Sequence, residues 1–226
     1  MDYHLSNERM TYQQFVSLLL KWMFIGVGIT ALTTIVMYVF QITKLLSFTY
    51  FPALIAFSVL EIVMVIILIK KIENISFIQA RKYFYIYSII NGITMTFLLD
   101  MVAPAVAILS FLMTCAYFGL LYAIVSHNTY DFQYVGKICV AALPILIITY
   151  ILLFIFQLSK LYYLVILIDL VIFTGITLFD MKNIRKVYLN NGDDELEGMA
   201  MICALELYLD FINIFIDILL TIAENA

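Results

Sequence analysis

Charged residues in this chain gather into short clusters that separate seven apolar runs, each near the length that carries a helix across a bilayer. The runs are Trp22–Phe40, Phe51–Ile69, Tyr83–Leu99, Val102–Val125, Ile138–Phe156, Leu161–Phe179 and Gly198–Leu220, and a spanning helix needs about 20 mostly apolar residues. Barrel strands would need only about 9–11 residues of alternating character. The spacing therefore predicts an all-α, polytopic membrane protein with seven transmembrane helices in one domain over residues 1–226. Composition agrees, at 65% apolar and 12% charged, against about 45–50% and about 25% in soluble domains. A soluble globular enzyme is excluded, and so is disorder. The net charge of −4 creates no basic field, so nucleic acid is not an expected partner. The lipid bilayer is.

The polar start of the chain (Asp2, His4, Glu8, Arg9, Gln13, Gln14) does not suit a cleaved signal peptide, and the first apolar run is expected to be retained. Basic residues fix an expected orientation. Arg9, Lys21, Lys70, Lys71, Arg81, Lys82, Lys137, Lys182, Arg185 and Lys186 fall on one side, and only Lys44 and Lys160 on the other. Positive charge collects in the cytoplasm, so the N-terminus is expected inside and the short C-terminal tail outside. No polar cytoplasmic tail, and so no retention or sorting signal, is read after the last run, and a prokaryotic plasma membrane is expected. Cys115, Cys139 and Cys203 lie in apolar runs without CxxC spacing, which argues for buried apolar packing rather than disulfides or zinc. Both histidines, His4 and His127, fall in predicted loops. Pro52, Pro104 and Pro144 are read as lying at or near span starts, and Gly26-Val27-Gly28 as a close-packing pair rather than a nucleotide loop.

Carboxylates occupy positions where lipid would be expected. Glu61 lies in the second run, Asp169 and Asp180 in or at the end of the sixth, and Glu206, Asp210 and Asp217 in the seventh, with no Lys or Arg midway along any run. A charge at bilayer depth costs a few kcal/mol, so such groups face a bundle interior or a watery cavity. On a helix, Glu206, Asp210, Asn213 and Asp217 fall within an arc of about 60° and form a stripe about 16 Å long. Asp169 and Asp180 share one face of the sixth helix. Asp180 and Asp210 are each fifteen residues from Glu195, so antiparallel packing predicts similar depth. Two acids that meet in low dielectric share a proton or recruit a hard cation through oxygen. A structural role stands beside the functional one: Asp180 as a helix cap, and Glu61, Asp169 and Glu206 as protonated ties to neighbouring helices. Lys70 and Lys71 read first as cytoplasmic anchors, with a salt-bridge latch to the acid pair as the alternative.

Residues 204–215, reading ALELYLDFINIF, resemble the last-span signature of the Bax inhibitor-1 (transmembrane Bax inhibitor motif) family. Residues 178–184, LFDMKNI, resemble its preceding-span motif, and Asn91-Gly92-Ile93-Thr94 and Leu60-Glu61 also match. The likeness runs along essentially the whole chain. It implies a seven-helix bundle with the last helix central and the N-terminus cytoplasmic. It further implies a pH-sensitive calcium leak closed by two aspartates, which map onto Asp180 and Asp210, with Glu61 as the second-span acid. Eukaryotic members of the family are associated with suppression of cell death, and bacterial members with membrane-protease partners. The chain departs from the pattern at Lys70-Lys71, where leak members can carry a latching arginine. It also lacks a proline after Asn91-Gly92-Ile93-Thr94, and Asp169 and Asp217 look like additions. The connection between the last two spans looks longer than usual.

The expected function is thus a cation leak with calcium as the transported ion, gated by Asp180 and Asp210, which would bind Ca2+ only in transit. Glu61, Glu206, Asn213, Asp217 and Asp169 are the expected pore lining. No cofactor and no enzymatic activity are expected, and the partners are Ca2+, H+, lipid and a candidate membrane protein, with the chain a monomer. A cation/proton exchanger and a non-transporting regulator of a membrane protease or stress pathway are the alternatives.

Overall fold

Where no water is available, a backbone has to bond to itself, and long apolar runs become helices. The structure, a computed structural model, describes residues 9–45, 60, 63–64 and 77–225. Among them every regular element is helical: α1 (Tyr12–Val39), the single turn α2 (Ile42–Leu45), α3 (Phe77–Leu99), α4 (Pro104–His127), α5 (Gln133–Phe156), α6 (Ser159–Asn190) and α7 (Leu196–Asn225), with a 3-10 turn at Asp193–Glu195. The expectations for Glu61, Lys70, Lys71 and Pro52 lie outside the described residues. Where the apolar runs predict seven crossings, the described residues supply five helices long and apolar enough to cross a membrane. These are Tyr12–Val39, Pro104–His127, Gln133–Phe156, Lys160–Asn190 and Asp193–Glu224. The third run falls short because α3 carries Gln79, Arg81, Lys82, Ser88, Asn91, Thr94 and Thr96.

Local signals set several helix ends. Thr11 caps α1 in a reciprocal box: its hydroxyl accepts from the Gln14 amide at 3.3 Å, and its own amide donates to Gln14 Oε1 at 2.8 Å, which satisfies two otherwise orphaned donors. Pro104 opens α4, where its missing N–H costs nothing. Pro144, by contrast, lies inside α5 rather than near its start, an arrangement that membrane helices tolerate when neighbours re-satisfy the freed carbonyl. Likewise His127 is the last residue of α4 rather than a loop residue.

The helix in the middle is α7. Of its apolar stretch 67% is buried, against 33% in α1 and α6, 28% in α4 and 11% in α5, and it packs against α1, α3, α4 and α6. On the outside, α5 turns Ile138, Ile145, Ile148, Leu152 and Phe156 outward, an apolar face of the kind that lipid covers. Cys115 is exposed on α4 and Cys139 half-buried, so of the three free thiols only Cys203 meets the expectation of burial. A lipid-facing thiol needs no protein cover.

Tyr208 on α7 is the knot of the interior. It is fully buried, its hydroxyl lies 2.6 Å from Thr30 Oγ1 on α1 and 3.3 Å from Asn91 Oδ1 on α3, and Phe84 and Tyr87 meet its ring edge to face. Thr30 donates to the Ser88 carbonyl and Thr34 to the Gly92 carbonyl, at 3.0 and 2.9 Å. These bonds step along α1 and α3 in the same direction, so the two helices run parallel. Gly92 permits the approach, since a Cβ there would run into the Thr30 carbonyl and the Thr33 side chain, whereas Gly28 faces open space.

The α6–α7 hairpin end is tied by polar groups. Arg9 forms an ion pair with Asp193 at 3.1 Å, donates to the Tyr188 and Asn191 carbonyls and covers the Tyr188 ring. Lys182 donates to the Asn128 carbonyl and Lys186 pairs with Asp131. At the far end the Thr43 hydroxyl donates to Asp100. Overpacking a tight site costs about 1–3 kcal/mol, so Gly92→Ala should lower the thermal unfolding midpoint of the purified protein. Gly28→Ala, with nothing to meet, should stay within about 0.5 kcal/mol of the parent. Equal midpoints for the two variants would contradict the parallel α1–α3 contact.

Candidate functional site

The acids are placed by how α6 and α7 come together. These helices are antiparallel neighbours, and only Asn191–Glu195 separates them. The connection that looks long in the sequence is short because α6 continues to Asn190, which puts Lys182, Arg185 and Lys186 on the helix rather than in a loop. The turn centres near Asp193, not Glu195. Asp180 lies ten residues before the end of α6 and Glu206 ten after the start of α7, whereas Thr177 and Asp210 lie thirteen and fourteen residues in. Asp180 is therefore level with Glu206, and Asp210 is about one turn, roughly 6 Å, deeper. The equal depth expected for the two aspartates is corrected by that turn.

They nevertheless form one electrostatic cluster. Asp210 is 3% exposed, and the charges of Asp180 and Glu206 both act on it. Glu206 acts on Asp180 in turn. The Thr177 hydroxyl lies between the Asp210 carboxylate and the Phe173 carbonyl, 2.7 Å from the latter. Asp210 Oδ2 is buried with no hydrogen-bond partner among the described residues. Asp180 is half-buried and Glu206 exposed, so the three acids form a graded series from the bundle surface to its interior.

Among the described residues no cation answers them. Among the described residues the ion pairs are Arg9–Asp193 and Lys186–Asp131, both at the hairpin end, and Lys182 turns to the Val125 and Asn128 carbonyls. Nor, among the described residues, does any group of three or more His, Cys, Asp or Glu side chains gather to hold a metal ion. A cation at Asp180 and Asp210 would therefore be held by two carboxylates together with water or backbone oxygen, which suits passage more than storage.

Other predicted residues are placed differently. Asn213 is half-buried and donates to the Leu209 carbonyl of its own helix at 2.9 Å, so its amide is partly spent on the backbone. Asp169 and Asp217 are buried, at 8% and 3% exposure, some way further from the hairpin end. Sequence reasoning missed Tyr208, which sits between Glu206 and Asp210 and binds the Asn91-Gly92 stretch to α7. The signal was present in the strings themselves, since Tyr208 and Asn91 belong to two of the motifs quoted for their acids and small residues.

A family model described as inhibitor of apoptosis-promoting Bax1 matches residues 12–226. An uncharacterised protein of Borreliella burgdorferi is 27% identical over 94% of this chain and 93% of its own length. An uncharacterised membrane protein of Streptococcus pyogenes serotype M1 has the same identity and coverage. The inner membrane protein YbhL of Escherichia coli K12 is 25% identical over 92% of this chain and 90% of its own.

Removing one charge from a crowded acid cluster while keeping its shape relieves like-charge repulsion. Asp210→Asn is thus expected to raise the thermal unfolding midpoint, by roughly 2–8 °C if relief is about 1–2 kcal/mol. Differential scanning fluorimetry in detergent reads this, and a lowered midpoint would mean that the carboxylate holds the helices together.

Proposed function

The chain belongs to the Bax inhibitor-1 family of membrane proteins, and on that premise we propose that it is a pH-sensitive leak for cations, calcium foremost, gated by Asp180 and Asp210. The observation that carries the proposal is Asp210, which is buried with an oxygen that no group among the described residues satisfies, while Asp180 and Glu206 press on it with like charge. Groups of this kind are costly inside a bundle and persist where they serve an ion.

In the closed state Asp180 and Asp210 share a proton, and α6 and α7 lie against each other along the Thr177 contact. Loss of that proton leaves two like charges that separate, and the gap admits a hard cation that both can touch. Glu206, exposed one turn toward the hairpin end, gathers cations before they reach the pair. Asp217, Asp169, Asn213 and Glu61 line the remainder of the route. Because the cluster holds only two or three carboxylates, binding is loose and the ion moves on.

The same reading takes the chain as a single seven-span domain. What supports the seventh crossing is topology: α1 and α3 run parallel, so the end of α1 and the start of α3 lie at opposite ends of the bundle. It also places the N-terminus in the cytoplasm, since Arg9, Lys182 and Lys186 sit at the hairpin end and Lys44 and Lys160 at the other. A monomer suffices for this mechanism, with no cofactor and no covalent chemistry, and a lysine at position 70 or 71 would serve as the latch.

The test is calcium flux into proteoliposomes with an enclosed indicator. Wild-type flux is expected to rise as pH is raised, and Asp180→Asn with Asp210→Asn should remove the pH dependence. Flux that needs an opposing proton gradient would replace the leak by an exchanger. No flux at any pH, with capture of a membrane protein partner surviving the same substitutions, would overturn transport altogether.

A further inference from the structure

A second pair of acids lies deeper in the same hairpin. Asp169 is twenty-one residues before the end of α6, and Asp217 is twenty-one after the start of α7. Their levels match, about 10 Å beyond Asp210 along α7 at 1.5 Å per residue. Both side chains are more than nine-tenths buried. Asp169 Oδ1 and Asp217 Oδ2 are each buried without a hydrogen-bond partner among the described residues, and the charge of Asp169 acts on Asp217. Two independent carboxylates on facing helices thus each keep an unsatisfied oxygen in the same layer.

The layer has a third oxygen and an approach. Tyr150 on α5 donates its hydroxyl to Asp169 Oδ2 at 2.8 Å, which leaves the phenol oxygen's lone pairs free. Tyr162 on α6 packs edge to face on Tyr150 at 5.9 Å, and its hydroxyl feels both acids. Tyr150 and Tyr162 also line an open cavity of about 610 Å³ with Gln157 and Glu224. That cavity is at the far end of the bundle, and Glu224 adds a carboxylate to its lining. Among the described residues, no ion pair reaches Asp169 or Asp217.

We propose that Asp169 and Asp217, with the Tyr150 phenol, form a second hard-cation site reached from the far-end cavity and distinct from the Asp180–Asp210 cluster. Two carboxylates balance one divalent ion, and oxygen donors of this kind suit calcium, which tolerates irregular geometry and completes its shell with water. Magnesium, which demands a near-ideal octahedron, suits the site less well. With so few protein ligands the dissociation constant falls on the order of 10⁻⁴–10⁻³ M, the range of weak calcium modules. A site of this strength loads an ion at the mouth and releases it inward.

Terbium tests this directly, because a lanthanide takes calcium's ligands and a tyrosine beside it sensitises its emission. The full chain, purified in detergent, is titrated with Tb3+ under tyrosine excitation and then with Ca2+ as competitor. Saturable emission that Ca2+ displaces is expected in the parent and in Asp180→Asn with Asp210→Asn, which separates this site from the gate. Asp169→Asn with Asp217→Asn should weaken terbium binding on the order of tenfold or more. Tyr150→Phe, a milder change should the double variant fail to fold, should lower the emission at saturation. Parent-like titrations for both Asp169→Asn with Asp217→Asn and Tyr150→Phe would overturn the proposal. So would loss of the signal in Asp180→Asn with Asp210→Asn.

Discussion

Charge removed from water inside an apolar bundle governs the arrangement of this molecule. Asp169, Asp210 and Asp217 are each less than a tenth exposed, in a bundle whose outer faces suit lipid. A carboxylate turned toward acyl chains would cost several kcal/mol, so α6 and α7 have to present their acidic edges to each other and to the bundle interior. The position of α7 at the centre follows. An outer helix with such a stripe would leave it in lipid, and the central one is enclosed by α1, α3, α4 and α6.

Lipid exerts little hydrophobic force between helices, so close packing and interhelical hydrogen bonds have to hold the bundle. Both are concentrated where they steady the acids. Tyr208 joins three helices through Thr30 and Asn91, two residues from Asp210. On the other side of α6, Gly136 and Gly175 accept Phe179 and Cys139 with no room for a Cβ, which presses α5 onto the helix that carries Asp169 and Asp180. The polar knot is fully bonded, while the acid cluster beside it is left with an oxygen that no described residue satisfies. Stability and strain are set side by side on α7.

Much of this could be read in the sequence, and the shortfalls have physical causes. Apolar run length predicts helices well because the bilayer leaves the backbone no alternative, and the stripe of Glu206, Asp210, Asn213 and Asp217 follows from helical periodicity alone. Run length is a poor guide to where a helix ends in water. The amphipathic stretch from Met181 to Asn190 continues α6 past its apolar part, and that extension shortened the turn and shifted the register by about one turn. Pairing was harder still. Asp169 and Asp217 were visible as extra acids, but only the register of two helices reveals that they share a level. Tyr208 was overlooked because an aromatic residue in an apolar run looks like filler until its hydroxyl finds partners on other helices.

The brevity of the α6–α7 turn has a consequence for how the protein is made. A ribosome delivers α6 to the insertion machinery alone, with two acids that a lipid environment rejects, and α7 follows after only five intervening residues. Entering as a folded-back unit, the two segments turn their acidic edges away from lipid while still beside the translocation pore. A longer linker would let the first segment meet lipid, or slip back out, before its companion arrived. Biogenesis therefore favours keeping this turn tight.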